Sequence, residues 1–255
     1  MADPQTPPRS RREFLAALAA SPFVTLGAGV FPSPLRAEAA AAGLIGANAC
    51  ILTPESTAGP YYIDPGLIRR DITEDRAGVA MQLRLQVVTA DCQPVEGARV
   101  DVWHCDAAGN YSGFARQGSD RRVSTKDRTF LRGTQFTEGG GVAVFDTIYP
   151  GWYRGRTTHV HYRVFLEETT VLTGQIFFPD ALSAYLFQSV PPYNDRTAQR
   201  DTVNASDGIA RQAGETAYAA IREQPGFYDA ALVVGIAPEA RPQGARFGGM
   251  RPPAG

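Results

Sequence analysis

The 255-residue chain is short of most residues that staple, clamp or anchor a protein. Its three cysteines have no CxxC spacing, which excludes a disulfide scaffold and a compact cysteine zinc site. Lys126 is its single lysine, and 25 basic residues against 26 acidic ones leave a net charge of −1. That balance gives no basic footprint for a nucleic acid or an acidic membrane. There is no heptad run and no fixed glycine period, so coiled coil and collagen are out, and 10 % aromatics argue against disorder. Three histidines occur, none in an HExxH arrangement. What remains is an ordinary 44 % apolar composition. A chain of this length buries roughly 70 % of its unfolded surface and needs no metal or disulfide merely to fold. One domain is favoured over two.

The first forty residues have the layout of an address. Arg9, Arg11 and Arg12 stand in a polar opening, Leu15 to Phe31 is mostly apolar, and Ala37-Glu38-Ala39 supplies an A-x-A cleavage site. The string Ser10-Arg11-Arg12-Glu13-Phe14-Leu15 is similar to the twin-arginine consensus. Seventeen residues interrupted by Ser21, Pro22, Gly27 and Gly29 are short for a bilayer that needs about 20. Residues 1–39 are therefore expected to be a twin-arginine export signal rather than a stable membrane anchor, with a periplasmic or secreted destination and the export machinery as a partner. That route carries folded proteins, often with a cofactor already loaded. An oxidising destination permits disulfides. Cys92 and Cys105 flank a short strand-like segment and are one candidate pair, but all three pairings with Cys50 stay open.

Beyond residue 50 the apolar pattern has period two. Met81, Leu83, Leu85 and Val87 share one parity and Gln82, Arg84 and Gln86 the other, while Ala98, Val100 and Val102 repeat the habit over 98–104. Further strands are expected at 128–136, 142–148, 157–166, 171–178 and 230–236, separated by turns such as Asp106–Gly109, Glu138–Gly141 and Pro150-Gly151. Residues 180–189 and 213–223 have helical character. The expected fold is all-β, an antiparallel β-sandwich core with long loops and few short helices, over a domain of residues 40–236. A Pro/Gly/Arg-rich tail follows at 237–255.

Two of the three histidines, His159 and His161, stand at i and i+2 of a predicted strand. They therefore share a face, with Cα atoms about 6.6–6.8 Å apart. Imidazoles at that spacing can meet on one ion. An isolated HxH serves equally as two hydrogen-bonding strand histidines, so the pair alone defines no site. Tyr153 closes Thr147-Ile-Tyr-Pro-Gly-Trp-Tyr153, and Tyr111 ends the run from Trp103 just past a predicted turn. A phenol titrates near 10, so a tyrosinate at neutral pH needs a strong cation beside it. Two phenolate oxygens with two imidazoles suit Fe(III) better than Zn(II). Tyr149 is the competing phenol in the same run.

Four ordered segments carry a specific resemblance: Thr53–Tyr62, Val102–Gly113, Thr147–Tyr153 and Arg156–His161. Together they resemble intradiol ring-cleavage dioxygenases, especially the protocatechuate 3,4-dioxygenase beta chain and secreted single-chain relatives. The likeness runs from about residue 50 to 236. It implies ferric iron held by Tyr111, Tyr153, His159 and His161 on a β-sandwich, with Arg156 and Gln175 as active-site residues and the Pro-Gly-x-Tyr match favouring Tyr153. The implied reaction is cleavage of a catechol by O2, between its two hydroxylated carbons, to a cis,cis-muconate-type diacid. In it Tyr153 accepts a proton as it leaves the iron, Arg156 steadies negative charge on the ring, and Gln175 hydrogen-bonds substrate or positions released hydroxide. Phe114, Trp152 and Tyr193 are candidate pocket residues, and Arg116 and Arg196 candidate partners for a substrate carboxylate. An export signal stands where cytoplasmic relatives carry a dimer-building helical segment, so no oligomeric state is carried over.

Two other readings start from the residues. Asp91–Val100 resembles the opening hairpin of non-catalytic sandwich modules. A cupin-like oxygenase would need a carboxylate shortly after the second histidine, where Glu167 and Glu168 stand just out of register.

Overall fold

The computed structural model describes residues 51–64, 66–118 and 121–240. Contacts divide the chain into Met1–Ser33 and Pro34–Gly255, and every described residue belongs to the second unit. The expected export signal at 1–39, with its Leu15–Phe31 stretch, lies outside the described residues, as does the tail from 241 onward. Among the described residues no helix is long and apolar enough to cross a membrane.

Among the described residues eight strands form, in chain order β1 (Ala80–Thr89), β2 (Arg99–Trp103), β3 (Arg132–Phe136), β4 (Val142–Ile148), β5 (His159–Leu166), β6 (Thr169–Phe177), β7 (Ala220–Gln224) and β8 (Phe227–Ile236). They make two four-stranded sheets, β4-β1-β8-β7 and β3-β2-β5-β6. The sandwich is as expected, with one departure from a purely antiparallel arrangement: β1 and β8 run parallel, Met81 beside Tyr228 through Thr89 beside Ile236.

Alternation decides which side chains meet between the sheets. Met81, Leu83, Leu85 and Val87 are buried, whereas Arg84 on the opposite face reaches the Asp229 carboxylate and Gln82 reaches Asp146. The second sheet sends Val100, Val102, Val160, Tyr162, Val164 and Ile176 inward to meet Leu83, Phe145, Leu232 and Val234. Each such burial contributes roughly 1.5–3 kcal/mol before entropy is charged against it.

Strand boundaries narrow in places, the expected 128–136 being strand only over Arg132–Phe136. The helical segment at 180–189 forms as α1 (Asp180–Ser189). The helix expected at 213–223 does not. A short helix α2 (Gly208–Ala213) stops before Gly214, whose φ of +70° ends it, and Ala220–Gln224 instead becomes β7. Pro225-Gly226 turns the chain so that β7 pairs with β8, and that pairing outweighs the helical preference of an Ala/Arg/Glu-rich stretch. Cys92 is disulfide-bonded while Cys105 is a buried free thiol, which removes the candidate Cys92–Cys105 pair. Cys50 lies outside the described residues.

Candidate metal centre

The strand that feeds Val160, Tyr162 and Val164 into the core turns His159 and His161 the other way. On that outer face Trp103 and Gln175 are the register partners of His161, and Phe177 is the partner of His159. The outer face of a sandwich sheet is ordinarily wet. Here the 53–62 segment, the long β2–β3 connection and the β4–β5 connection lie over it, and both histidines are buried. The Ser56 amide donates to the Thr173 carbonyl of β6 at 2.8 Å, fixing the first of these segments. Gly59 follows at φ +64°, with its Cα so close that an added Cβ would stand 3.3 Å from His161 Cε1.

Four donor atoms converge here. His159 Nε2 is 3.1 Å from His161 Nε2, 3.3 Å from the Tyr153 hydroxyl and 3.4 Å from the Tyr111 hydroxyl. His159 Nδ1 lies 2.7 Å from the Thr157 carbonyl, which can only accept, so Nδ1 carries the hydrogen and Nε2 the lone pair. Burial, reinforced by the Arg156 charge, pushes the His159 imidazole down to about 3. Burial and then His159 itself hold His161 well below the ordinary range. Both rings are therefore neutral and able to donate lone pairs. Burial raises both phenols, Tyr153 up to about 12 despite Arg156, so neither ionises without a further cation beside it. One imidazole lone pair cannot satisfy two hydroxyls and a second ring nitrogen, but a single cation among all four can. Among the described residues no group of three or more His, Cys, Asp and Glu could hold a metal, so a site here depends on its tyrosines. Two neutral imidazoles and two hard phenol oxygens fit a hard, highly charged metal ion.

The supports come from distant parts of the chain. The Trp103 ring stacks on His161, 5.0 Å between centroids and 5° from parallel. Tyr61 stacks on Tyr111 at 4.4 Å, and the Tyr111 amide donates to Gln117 Oε1 at 3.0 Å. Arg132, itself buried, donates to the carbonyls of Tyr61 and Ser112 and so ties two of the covering segments together. Arg156 Nη1 stands 3.5 Å from His159 Nε2. Its Nε donates to Asp207 Oδ2 at 2.8 Å, and its Nη2 donates to Gln175 Oε1. Gln175 Nε2 donates to the Thr57 carbonyl at 2.9 Å, so both ends of that amide are occupied. Asp207 also accepts from the Thr157 amide at 3.0 Å and from the first amides of α2.

All six site residues taken from the resemblance thus stand together: Tyr111, Tyr153, Arg156, His159, His161 and Gln175. The competing phenol does not join them. Tyr149 is fully buried in the core with its hydroxyl 2.7 Å from Ser183 Oγ. The third histidine, His104, is satisfied by the Cys105 carbonyl at 2.9 Å and Thr147 Oγ1 at 2.7 Å. Glu167 and Glu168 are exposed in the β5–β6 turn, about 26 Å along β5 from His159, which removes the cupin-like arrangement. Asp207, Thr57, Trp103 and Arg132 were not foreseen. Each is tied to the centre through tertiary pairing; Thr57 and Trp103 fall within the segments that carry the resemblance, whereas no local pattern marks Asp207 or Arg132.

A cavity of about 280 Å3 opens beside Tyr153, bordered by Tyr61, Gln117 and four arginines. Arg116 and Arg196 both border it as expected, although Arg196 is occupied by the Trp152 carbonyl at 2.6 Å. Phe114 packs edge-on to Tyr61, 5.1 Å between centroids. Trp152 and Tyr193 line a neighbouring cavity of about 560 Å3 instead, the Tyr193 hydroxyl being held by the Tyr149 carbonyl at 2.6 Å.

A two-sheet sandwich carrying a mixed imidazole–phenol donor set on a covered outer face defines a narrow class of protein. A family model described as Dioxygenase matches residues 57–204. The chain is 37 % identical to the solved intradiol ring-cleavage dioxygenase from Tetranychus urticae, over 76 % of this chain and 98 % of that one, with a TM-score of 0.69. It is 30 % identical over 139 residues to catechol 1,2-dioxygenase of Pseudomonas sp. (strain EST1001), and 28 % identical over 165 residues to that of Acinetobacter baylyi (strain ATCC 33305 / BD413 / ADP1). These matches cover 49 % and 56 % of this chain and 46 % and 50 % of those proteins, so the chain spans about half the length of the curated relatives it matches. The chain belongs to the intradiol ring-cleavage dioxygenase family.

Proposed function

We propose that the protein is a non-haem Fe(III)-dependent intradiol dioxygenase that opens a catechol-type ring with O2 to a cis,cis-muconate-type diacid. The convergence of Tyr111, Tyr153, His159 and His161 around one point carries the reading. The names of the curated relatives supply catechol as the model diol. Ferric iron held by these four residues would act as a Lewis acid on a bound diol.

The chain's own residues supply the rest. Tyr153 borders the cavity whereas Tyr111 is sealed behind Tyr61, so Tyr153, as the phenolate it would be beside ferric iron, would be the one able to take a diol proton on its oxygen and become a neutral phenol. Arg156, fixed by Asp207 and Gln175, presents a permanent cation beside the reacting region, where it stabilises negative charge on the ring. Gln175 orients Arg156 by accepting from its Nη2 and is itself anchored by donating to the Thr57 carbonyl. The Tyr61–Trp103 side excludes water from the donor set.

The test is direct. Loading with Fe(III) should give a visible tyrosinate–iron band, and aerobic catechol should be consumed with one O2 per ring and a diacid product. A protein that takes up iron without colour, or consumes O2 without forming a diacid, would falsify the reading. We further propose export by the twin-arginine route, supported by Ser10–Leu15 and consistent with a disulfide at Cys92. Fractionation should find the protein outside the cytoplasm and find an Arg11→Lys/Arg12→Lys variant retained within it.

A further inference from the structure

We infer that Trp103 is a positioning residue: its indole plane, rather than a hydrogen bond, fixes the His161 imidazole and strengthens that ring's hold on a metal. This rests on the dioxygenase reading, because it concerns one of the four donors of that site.

His159 and His161 share one strand face but are held by different devices. His159 Nδ1 meets the Thr157 carbonyl at 2.7 Å, a bond that fixes tautomer and ring plane together. His161 Nδ1 is buried with no hydrogen-bond partner among the described residues. The Thr57 carbonyl acts on the His161 ring from outside bonding geometry and is already the acceptor for Gln175 Nε2 at 2.9 Å. The ring contacts run the opposite way. Trp103 lies 5.0 Å from His161 and 5° from parallel, an offset stack. Among the described residues no ring lies flat on His159: Tyr153, His161 and Phe177 meet it at 65°, 79° and 45°.

The plate is itself held still from behind. Tyr62 meets the buried indole edge-on at 4.8 Å, and its hydroxyl donates to Asp101 Oδ2 at 2.9 Å. Asp101 is fully buried and also accepts from Thr134 Oγ1 at 2.6 Å and Arg99 Nε at 2.9 Å. The Arg163 guanidinium covers the Tyr62 ring at 3.9 Å. None of these supports is a donor of the site, so the plane of His161 is set by a separate network. A metal ion at Nε2 draws electron density from the imidazole. An electron-rich face beneath it then gains attraction, with indole better than phenyl. The stack therefore strengthens on metal loading, and Trp103 contributes to affinity as well as to orientation.

The experiment compares Trp103→Leu, Trp103→Phe and Phe177→Leu with the wild-type full chain, each checked for cooperative unfolding. Release of Fe(III) to a chelator should quicken about tenfold in Trp103→Leu and about threefold in Trp103→Phe. Phe177→Leu, which also loses a buried ring but beside His159, should release iron at the wild-type rate. The visible tyrosinate–iron band should shift in Trp103→Leu and return toward its wild-type position in Trp103→Phe. In the metal-free protein, 13C relaxation of the imidazole Cε1–H bonds needs neither iron nor turnover. His161 should gain mobility in Trp103→Leu and recover rigidity in Trp103→Phe, while His159 stays rigid in all three variants. A folded Trp103→Leu with wild-type iron release and a rigid His161 overturns the inference, as does an equal effect in Phe177→Leu. If Trp103→Leu does not fold, Trp103→Phe decides alone, and wild-type iron release in it overturns the inference. If His161 loosens as expected but wild type takes up no iron, the stacking role stands and the dioxygenase reading falls.

Discussion

The two faces of β5 carry the same backbone and opposite chemistry. Inward, Val160, Tyr162 and Val164 fill the space between the sheets; outward, His159 and His161 bring neutral nitrogens to a polar centre that loops keep dry. The inward face is held by area and tolerates any apolar set of similar volume. The outward face is held by particular atoms: a carbonyl that fixes a tautomer, an indole that stacks, an arginine tethered at both ends. Stability and chemistry are therefore separable along one strand, residue by residue.

The sharpest way to break that contrast is His161→Ala. Iron content should fall to background and catechol turnover by at least about 100-fold, while thermal unfolding stays cooperative. A folded variant that retains stoichiometric iron and its colour would refute the assignment. Acid should next expose the cost of keeping imidazoles neutral. His104 is pushed to about 4 by burial, His159 to about 3, and His161 lies lower than usual for the same reason. The unfolded chain binds protons that the native one refuses, so metal-free stability is intact above about 6.5 and falls as pH drops below it. The slope approaches on the order of 1 kcal/mol per pH unit for each ring, readable in urea melts from pH 7 to 5. A flat profile over that window would mean these rings are accessible to protons.

On the inward face Val160→Ala should remove about 2 kcal/mol of stability. That lowers Tm by roughly 4–8 °C for a domain of this size, with iron stoichiometry unchanged. Asp207→Asn should cut kcat about tenfold with little change in KM, since it frees Arg156 without touching the diol. A change confined to KM would assign Asp207 to binding instead. The smallest effect is expected at Gly59→Ala, which places a Cβ at positive φ against His161 and should cost about 1 kcal/mol.

Much of this contrast is visible in the sequence, for a physical reason. Period-two alternation reports directly which side chains of a half-buried strand point inward, so β1, β2 and β5 are legible, and an HxH on the off-parity face is marked as different. Tyr111 and Tyr153 needed the resemblance, because ten tyrosines give no preference among themselves. What was illegible is what the fold creates. Asp207 meets Arg156 across 51 residues and Trp103 meets His161 across a strand pair. The stretch at 213–223 reads as a helix because its composition favours one, while the partner that makes part of it a strand, β8, lies beyond a turn. The cysteines illustrate the same point: proximity in sequence between Cys92 and Cys105 says nothing of where their sulfur atoms lie.

The placement of β8 has a bearing on biogenesis. It is the last strand along the described chain, yet it occupies the middle of its sheet, between β1 and β7. A ribosome must pass residue 236 before β1 gains its parallel neighbour, so the layer opposite the polar centre cannot close during most of translation. Nascent chains that stop short of that point present β1 with an open edge, ready for capture by chaperones or by one another.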